Sequence, residues 1–153
     1  MSDQAALPEA PALPHTFRPG RTRAVLLAAA VAIFAVVSAL ALLLDRLSPG
    51  ERISFVLTGA LLASVAVILA RPRVVAEESG VTVVNFASTR RLEWAEIIRV
   101  NLRVGDPWVF LDLGDGTSLA AIGIQPGIDK QQAIADAGAL RALVEAHARE
   151  HRD

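Results

Sequence analysis

Two long uncharged runs leave this chain few ways to fold. From Ala24 to Leu44 it reads AVLLAAAVAIFAVVSALALLL, in which Ser38 is the only polar side chain. As a helix rising ~1.5 Å per residue the run is roughly 30 Å long, the thickness of a bilayer's hydrocarbon core. The second run, Ile53 to Ala70, contains Ser54, Thr58, Gly59 and Ser64 but no charge, and reaches about 27 Å by the same rise. Both are apolar around their whole circumference, whereas a surface helix of a soluble domain carries an apolar stripe. Ala39 and Ala41 resemble a signal-peptide cleavage pattern, but the first run is too long and begins too late for a secretory leader. The two runs therefore read as a transmembrane hairpin.

The arginines beside the runs set the expected orientation. Arg18, Arg21 and Arg23 precede the first, and Arg71 and Arg73 follow the second. The connecting loop, Asp45 to Arg52, holds only Arg46 and Arg52, with Asp45 and Glu51. The positive-inside rule then places both termini in the cytoplasm and makes the chain a multi-pass protein of the cell (inner or plasma) membrane. Helices in lipid associate by close backbone approach at small residues. Gly59 and Ala63, with Ala60 and Ser64 beside them, offer such a face, as do Ala28, Ala32, Ala35 and Ala39; an Ala-rich span without a packing role is the alternative.

Residues 1–20, with Pro8, Pro11, Pro14 and Pro19 and no apolar periodicity, are expected to form a disordered tail. His15 within it reads as a solvated loop residue. The hairpin then occupies 21–73, with spans at 24–44 and 53–70, a folded domain takes 74–149, and 150–153 is a short tail.

Beyond Arg71 the texture changes to short β-prone stretches separated by turns. Six strands are expected: Arg73–Glu77, Val81–Phe86, Arg91–Trp94, Ile98–Arg103, Trp108–Leu113 and Thr117–Ile122, with turns at Glu78-Ser79-Gly80, Ser88-Thr89, Gly105-Asp106 and Gly114-Asp115-Gly116. This spacing is that of an antiparallel meander. Val109, Leu111 and Leu113 alternate with Trp108, Phe110 and Asp112, as in a sheet buried on one face. A closing helix starts near Asp129, with Gln132 at the capping-box position. Ile134, Ala137, Leu140, Leu143, Val144 and His147 form its inward stripe to about Ala148. Gly138 within it costs roughly 1 kcal/mol relative to Ala; a single helix is expected, with a break at Gly138 as the alternative. The fold class is α+β: a two-helix hairpin, then an antiparallel sheet or partial barrel capped by a helix.

The two spans, the strand with Leu92-Glu93-Trp94-Ala95-Glu96-Ile97, the stretch Trp108-Val109-Phe110-Leu111 and the closing helix together resemble the bacterial pleckstrin-homology (PH) domain membrane proteins. Within that group, residues 24–149 are similar to the actinobacterial family named for the PH domain of low molecular weight protein antigen 6. The resemblance implies a twisted seven-stranded sheet with one end closed by the C-terminal helix. One strand more than the pattern shows is thus required, between Ile122 and Ile128 or not at all. Eukaryotic PH domains that bind phosphoinositides place basic side chains around the loop between their first two strands. The corresponding Glu77-Glu78-Ser79-Gly80 carries two acids and no base, so that recognition does not carry over.

Net charge is -1, from 15 basic and 16 acidic residues, which gives no basic field for nucleic acid. There is no cysteine, hence no thiolate metal site and no cysteine nucleophile. His147 and His151 stand four apart but lack a third ligand, and Asp112, Asp115 and Gly116 miss the alternate-position spacing of a calcium loop. No phosphate-cradling loop or nucleophile elbow is present, and neither span carries an ionisable residue of an ion pathway. No catalytic, cofactor-binding or metal residue is therefore assigned. The function expected is a non-catalytic, membrane-anchored adaptor or accessory subunit for a membrane-associated protein partner. The alternative is an anionic-lipid sensor at the cytoplasmic surface. Contact residues expected for either are Arg90, Arg91, Trp108 and Phe110; Gly59 and Ala63 are expected to pack the spans.

Overall fold

The computed structural model describes residues 8–152. They divide into two compact units: Gly20–Arg71, and residues 8–19 together with 72–152.

The first unit is a pair of helices, α1 (Gly20–Leu43) and α2 (Pro49–Leu69). Ser48 begins α2 as its N-cap: its backbone N–H donates to Glu51 Oε2 at 2.8 Å and its Oγ accepts from Glu51 N at 3.4 Å, with Pro49 in the first turn. The polar side chains inside α2 do not reach outward. Ser54, Thr58 and Ser64 each donate to the carbonyl four residues back, at 3.0, 2.8 and 2.7 Å, a local solution for hydroxyls in an apolar helix. Gly59 is buried, and a Cβ there would lie 3.1 Å from Val37 Cβ. The missing side chain is what lets the helices approach, and Ala63 one turn on is half-buried. On α1 the apposed face carries Ala30, Val37 and Ala41, whereas Ala28, Ala32, Ala35 and Ala39 are all exposed. The alanine face read from sequence is thus on the wrong side, because an Ala-rich helix offers several small-residue stripes and only the bulk of the partner selects one. Large apolar side chains such as Val31, Val36, Leu42, Leu57 and Leu61 point outward, so these are not the core helices of a soluble domain. Both are long and apolar enough to cross a membrane.

The second unit is built from seven strands and a helix. A four-stranded antiparallel sheet has the order β1 (His15–Phe17), β2 (Arg73–Glu77), β3 (Gly80–Val84), β4 (Thr89–Leu92). A three-stranded one has the order β5 (Ile97–Asn101), β6 (Val109–Leu113), β7 (Ser118–Ala121). A 3-10 turn, Trp94–Glu96, joins them. The seventh strand lies not after Ile122 but before the helical hairpin, where disorder was expected: His15, Thr16 and Phe17 pair with Ala76, Val75 and Val74. Residues 1–7 of that expected tail lie outside the described residues. β1 forms among prolines because Phe17, 1% exposed, completes the core. The hairpin is therefore an insertion between two hydrogen-bonded neighbours of one sheet.

The core gathers Val74, Ala76, Val81 and Val83 from one sheet, Val100, Val109 and Leu111 from the other, and Leu140 and Leu143 from α3 (Lys130–Glu150). Asp129 caps α3 by accepting from Gln132 N at 3.1 Å, and the Gln132 side-chain amide donates to Asp136 at 3.0 Å. The inward stripe is Ala133, Ala137, Leu140, Leu143 and Val144; Ile134, expected in it, faces outward and is half-exposed. The helix does not break at Gly138. A Cβ there would meet Pro8 Cγ at 3.1 Å, so the glycine makes room for the N-terminal arm. Asn85 closes one corner between the sheets, donating from Nδ2 to Ala120 O (2.8 Å) and accepting from Ile122 N (3.2 Å). Gly123 lies so close to the β2 backbone that a Cβ would come within 2.5 Å of Arg73 Cα.

Candidate functional site

The alternation along β6 places Val109, Leu111 and Leu113 in the core and leaves Trp108, Phe110 and Asp112 half-buried on the other face. The Trp108 and Phe110 rings lie 6.5 Å apart, tilted by 52°. Phe110 sits between Asn101 of β5 and Ala120 of β7, so the outer face offers an aromatic pair beside small and polar neighbours. Asp112 on the same face accepts from Asn101 Nδ2 and from Ser118 Oγ (3.1 Å), which ties the three strands together there. The Trp108 indole N–H is buried and has no hydrogen-bond partner among the described residues. Such a group costs roughly 1–3 kcal/mol where it stays unmet. The half-buried rings suit contact with another surface, since aromatic side chains supply large contact area.

Arg90 and Arg91 do not act as a pair. They are successive residues of the edge strand β4, so their side chains leave opposite faces of the sheet. Arg91 Nη2 lies 3.7 Å from Glu77 Oε2, an exposed contact of a kind that contributes little. Arg90 pairs with Val83, and in the adjoining row Thr89 pairs with Val84, which pairs in turn with Arg73. Arg90 and Arg73 are therefore two strand spacings and one row apart, about 10 Å between backbones. By the same alternation the two do not group: Arg90 shares the face of Val83 and Val74, whereas Arg73, next to Val74, leaves the opposite one. Asp115 is held below the ordinary carboxylate range, first by hydrogen bonds from the Thr117 hydroxyl and backbone N–H (2.6 and 2.9 Å), then by the Arg90 charge.

At the opposite end of the four-stranded sheet, the Trp94 indole donates to the carbonyls of Glu77 and Glu78 at 3.0 and 3.2 Å and fixes the acidic β2–β3 turn. His147 stacks on the same indole, with ring centroids 4.2 Å apart and planes within 8°. Its Nδ1 lies 2.8 Å from Leu143 O; a carbonyl only accepts, so the proton sits on Nδ1. His147 is thus a packing residue that fastens α3 to the 3-10 turn, and His151, four residues on, is the C-cap of α3. No group of three metal-ligating side chains occurs among the described residues. His15 lies in β1 beside Phe17, rings 4.5 Å apart, and not in a solvated loop. The roles of Asn85 and of the Trp94–His147 stack have no signal in the local sequence.

Comparison with known proteins finds likenesses to the second unit. Residues 71–143 match the family model described as the bacterial PH domain. An uncharacterized protein of Mycobacterium tuberculosis (strain ATCC 25618 / H37Rv) is similar, at 33% identity over 86 residues, which is 56% of this chain and 55% of that one. An uncharacterized protein of Mycobacterium bovis matches to the same extent. The chain thus spans about half the length of the curated relatives it matches. No solved structure matches it.

Proposed function

We propose that residues 71–143, which match the bacterial PH domain model, form such a domain, and that the protein is a membrane-anchored adaptor or accessory subunit, non-catalytic, whose PH unit holds a membrane-associated protein partner. The observation carrying the proposal is the outer face of β5, β6 and β7, where Trp108 and Phe110 are half-buried side by side. Anchoring raises the effective concentration of even a modest contact, because both molecules are confined to one surface.

In this reading α1 and α2 span the cell membrane with both ends in the cytoplasm. The arginines flanking the helices favour that orientation. The pairing of β1 with β2 favours an even number of crossings, since strands on opposite sides of a bilayer could not share a ladder. It also disfavours cleavage after Ala39 or Ala41, which would separate β1 from its sheet.

A second reading, an anionic-lipid sensor, draws on Arg90 and Arg91, both exposed on the edge strand β4. Each basic side chain near an anionic membrane surface contributes about 1 kcal/mol. A photo-crosslinking amino acid placed at Phe110 or at Arg90 of the full chain in intact membranes separates the readings. The adaptor predicts one discrete protein adduct from position 110. Lipid adducts from position 90, with no protein adduct from 110, would replace the adaptor by the sensor.

A further inference from the structure

Between the loop after β5 and the first half of α3 runs a groove of about 650 Å3, within the size range of ligand-binding clefts. Leu102 and Val104 form one wall and Ile134 part of the other. Val104 is 98% exposed and Ile134 50%, so apolar side chains on both walls stand in water. The charges at the rim are unbalanced. Arg103, Lys130 and Arg141 face a single lining carboxylate, Asp106, which accepts from Arg103 N at 2.8 Å. Asp129, next to Lys130, is turned to the amide of Gln132. Pro8 of the chain's own arm also lines the groove, beside Gly138.

We propose that this groove is where the partner docks, and that what it takes is a segment combining apolar and acidic side chains. The inference rests on the adaptor reading and gives it a second contact, apart from Trp108 and Phe110. Apolar side chains would cover Val104 and Ile134, and carboxylates would meet the cationic rim, which sets specificity and rate of encounter.

The test uses the full chain in phosphatidylcholine nanodiscs and, as probe, a fluorescent peptide of about ten alternating Leu and Glu residues, read by anisotropy. The peptide binds, and its Gln-for-Glu counterpart binds at least about tenfold more weakly, as does the Glu peptide to the Arg103→Glu, Lys130→Glu double variant. Both substituted side chains are exposed, so the fold is retained. No binding, or binding indifferent to the charge reversal, overturns the inference. So does displacement by soluble short-chain phosphatidylglycerol in preference to unlabelled peptide, which would make the groove a lipid site. Binding that appears only after removal of residues 2–7 would assign the groove to the chain's own N-terminus and equally overturn it. A protein adduct from position 110 that persists unchanged in the double variant would sink the groove and leave the adaptor standing.

Discussion

At the scale of single residues, the side chains that matter most to the second unit act across long stretches of sequence. Asn85 reaches partners 35 and 37 residues away, and Asn85→Ala should cost about 1–3 kcal/mol, because it removes two bonds and leaves the Ala120 carbonyl and Ile122 amide unmet. Denaturant unfolding followed by Trp fluorescence measures that loss. Gly123→Ala drives a methyl into the Arg73 backbone, which cannot rotate away as a side chain would; a loss of about 1–3 kcal/mol is expected in the same assay. Two carboxylates give pH signatures of opposite sign. Asp115 titrates below its ordinary range, so the folded form favours the carboxylate. The stability it contributes is present above the ordinary carboxylate range and is lost as pH falls through its lowered value. Asp136 titrates above its ordinary range because burial disfavours its charge, so its contribution weakens as pH rises from the ordinary value through the raised one. In the pH dependence of the unfolding midpoint, Asp115→Asn should therefore flatten the acid limb and Asp136→Asn steepen it. None of these roles shows locally, since an asparagine, a glycine or an aspartate in a polar stretch is ordinary turn chemistry until its distant neighbour is in place.

At the scale of elements, β2 to β7 and α3 follow period and punctuation closely. Their alternation and turn residues report a half-buried surface directly, and a capped amphipathic helix is equally explicit. β1 gives no such signal, because three residues are too few to show a period and the prolines around them argue for disorder. Its weight lies in Phe17: Phe17→Ala should cost about 3–5 kcal/mol, a large loss for a position in an apparently unstructured tail, and detectable by unfolding of the full chain. The helical hairpin carries a different prediction. Gly59→Leu forces bulk against Val37 and should weaken α1–α2 association by about 1–3 kcal/mol in a steric-trapping measurement. Ser38→Ala should be neutral or stabilising there, since the Ser38 hydroxyl is buried without a partner.

At the scale of the whole molecule, the family match begins at residue 71 while the sheet begins at His15. A fragment cut at the start of the match lacks β1, bares the β2 edge and opens the core at Phe17, and such an edge invites association with other chains. Replacing residues 18–73 by Asn-Gly joins Phe17 to Val74, which are already partners, through the favoured two-residue hairpin turn. That chain should be soluble and monomeric by light scattering, and the 71–153 fragment should aggregate. What the sequence alone determined is whatever is written in local period and charge: two uncharged helices, the strand meander, the closing helix, and the alternation that sets Trp108 and Phe110 opposite Val109 and Leu111. Tertiary structure decided which alanine face packs the hairpin, that Trp108 and Phe110 are half-buried on the outer face, that β1 completes the sheet, and that a cationic groove opens beside α3. The division is physical. Periodicity reports which face of an element is apolar, whereas partners across a barrel corner, a helix interface or an inserted hairpin are chosen by packing between segments whose separation along the chain carries no local mark.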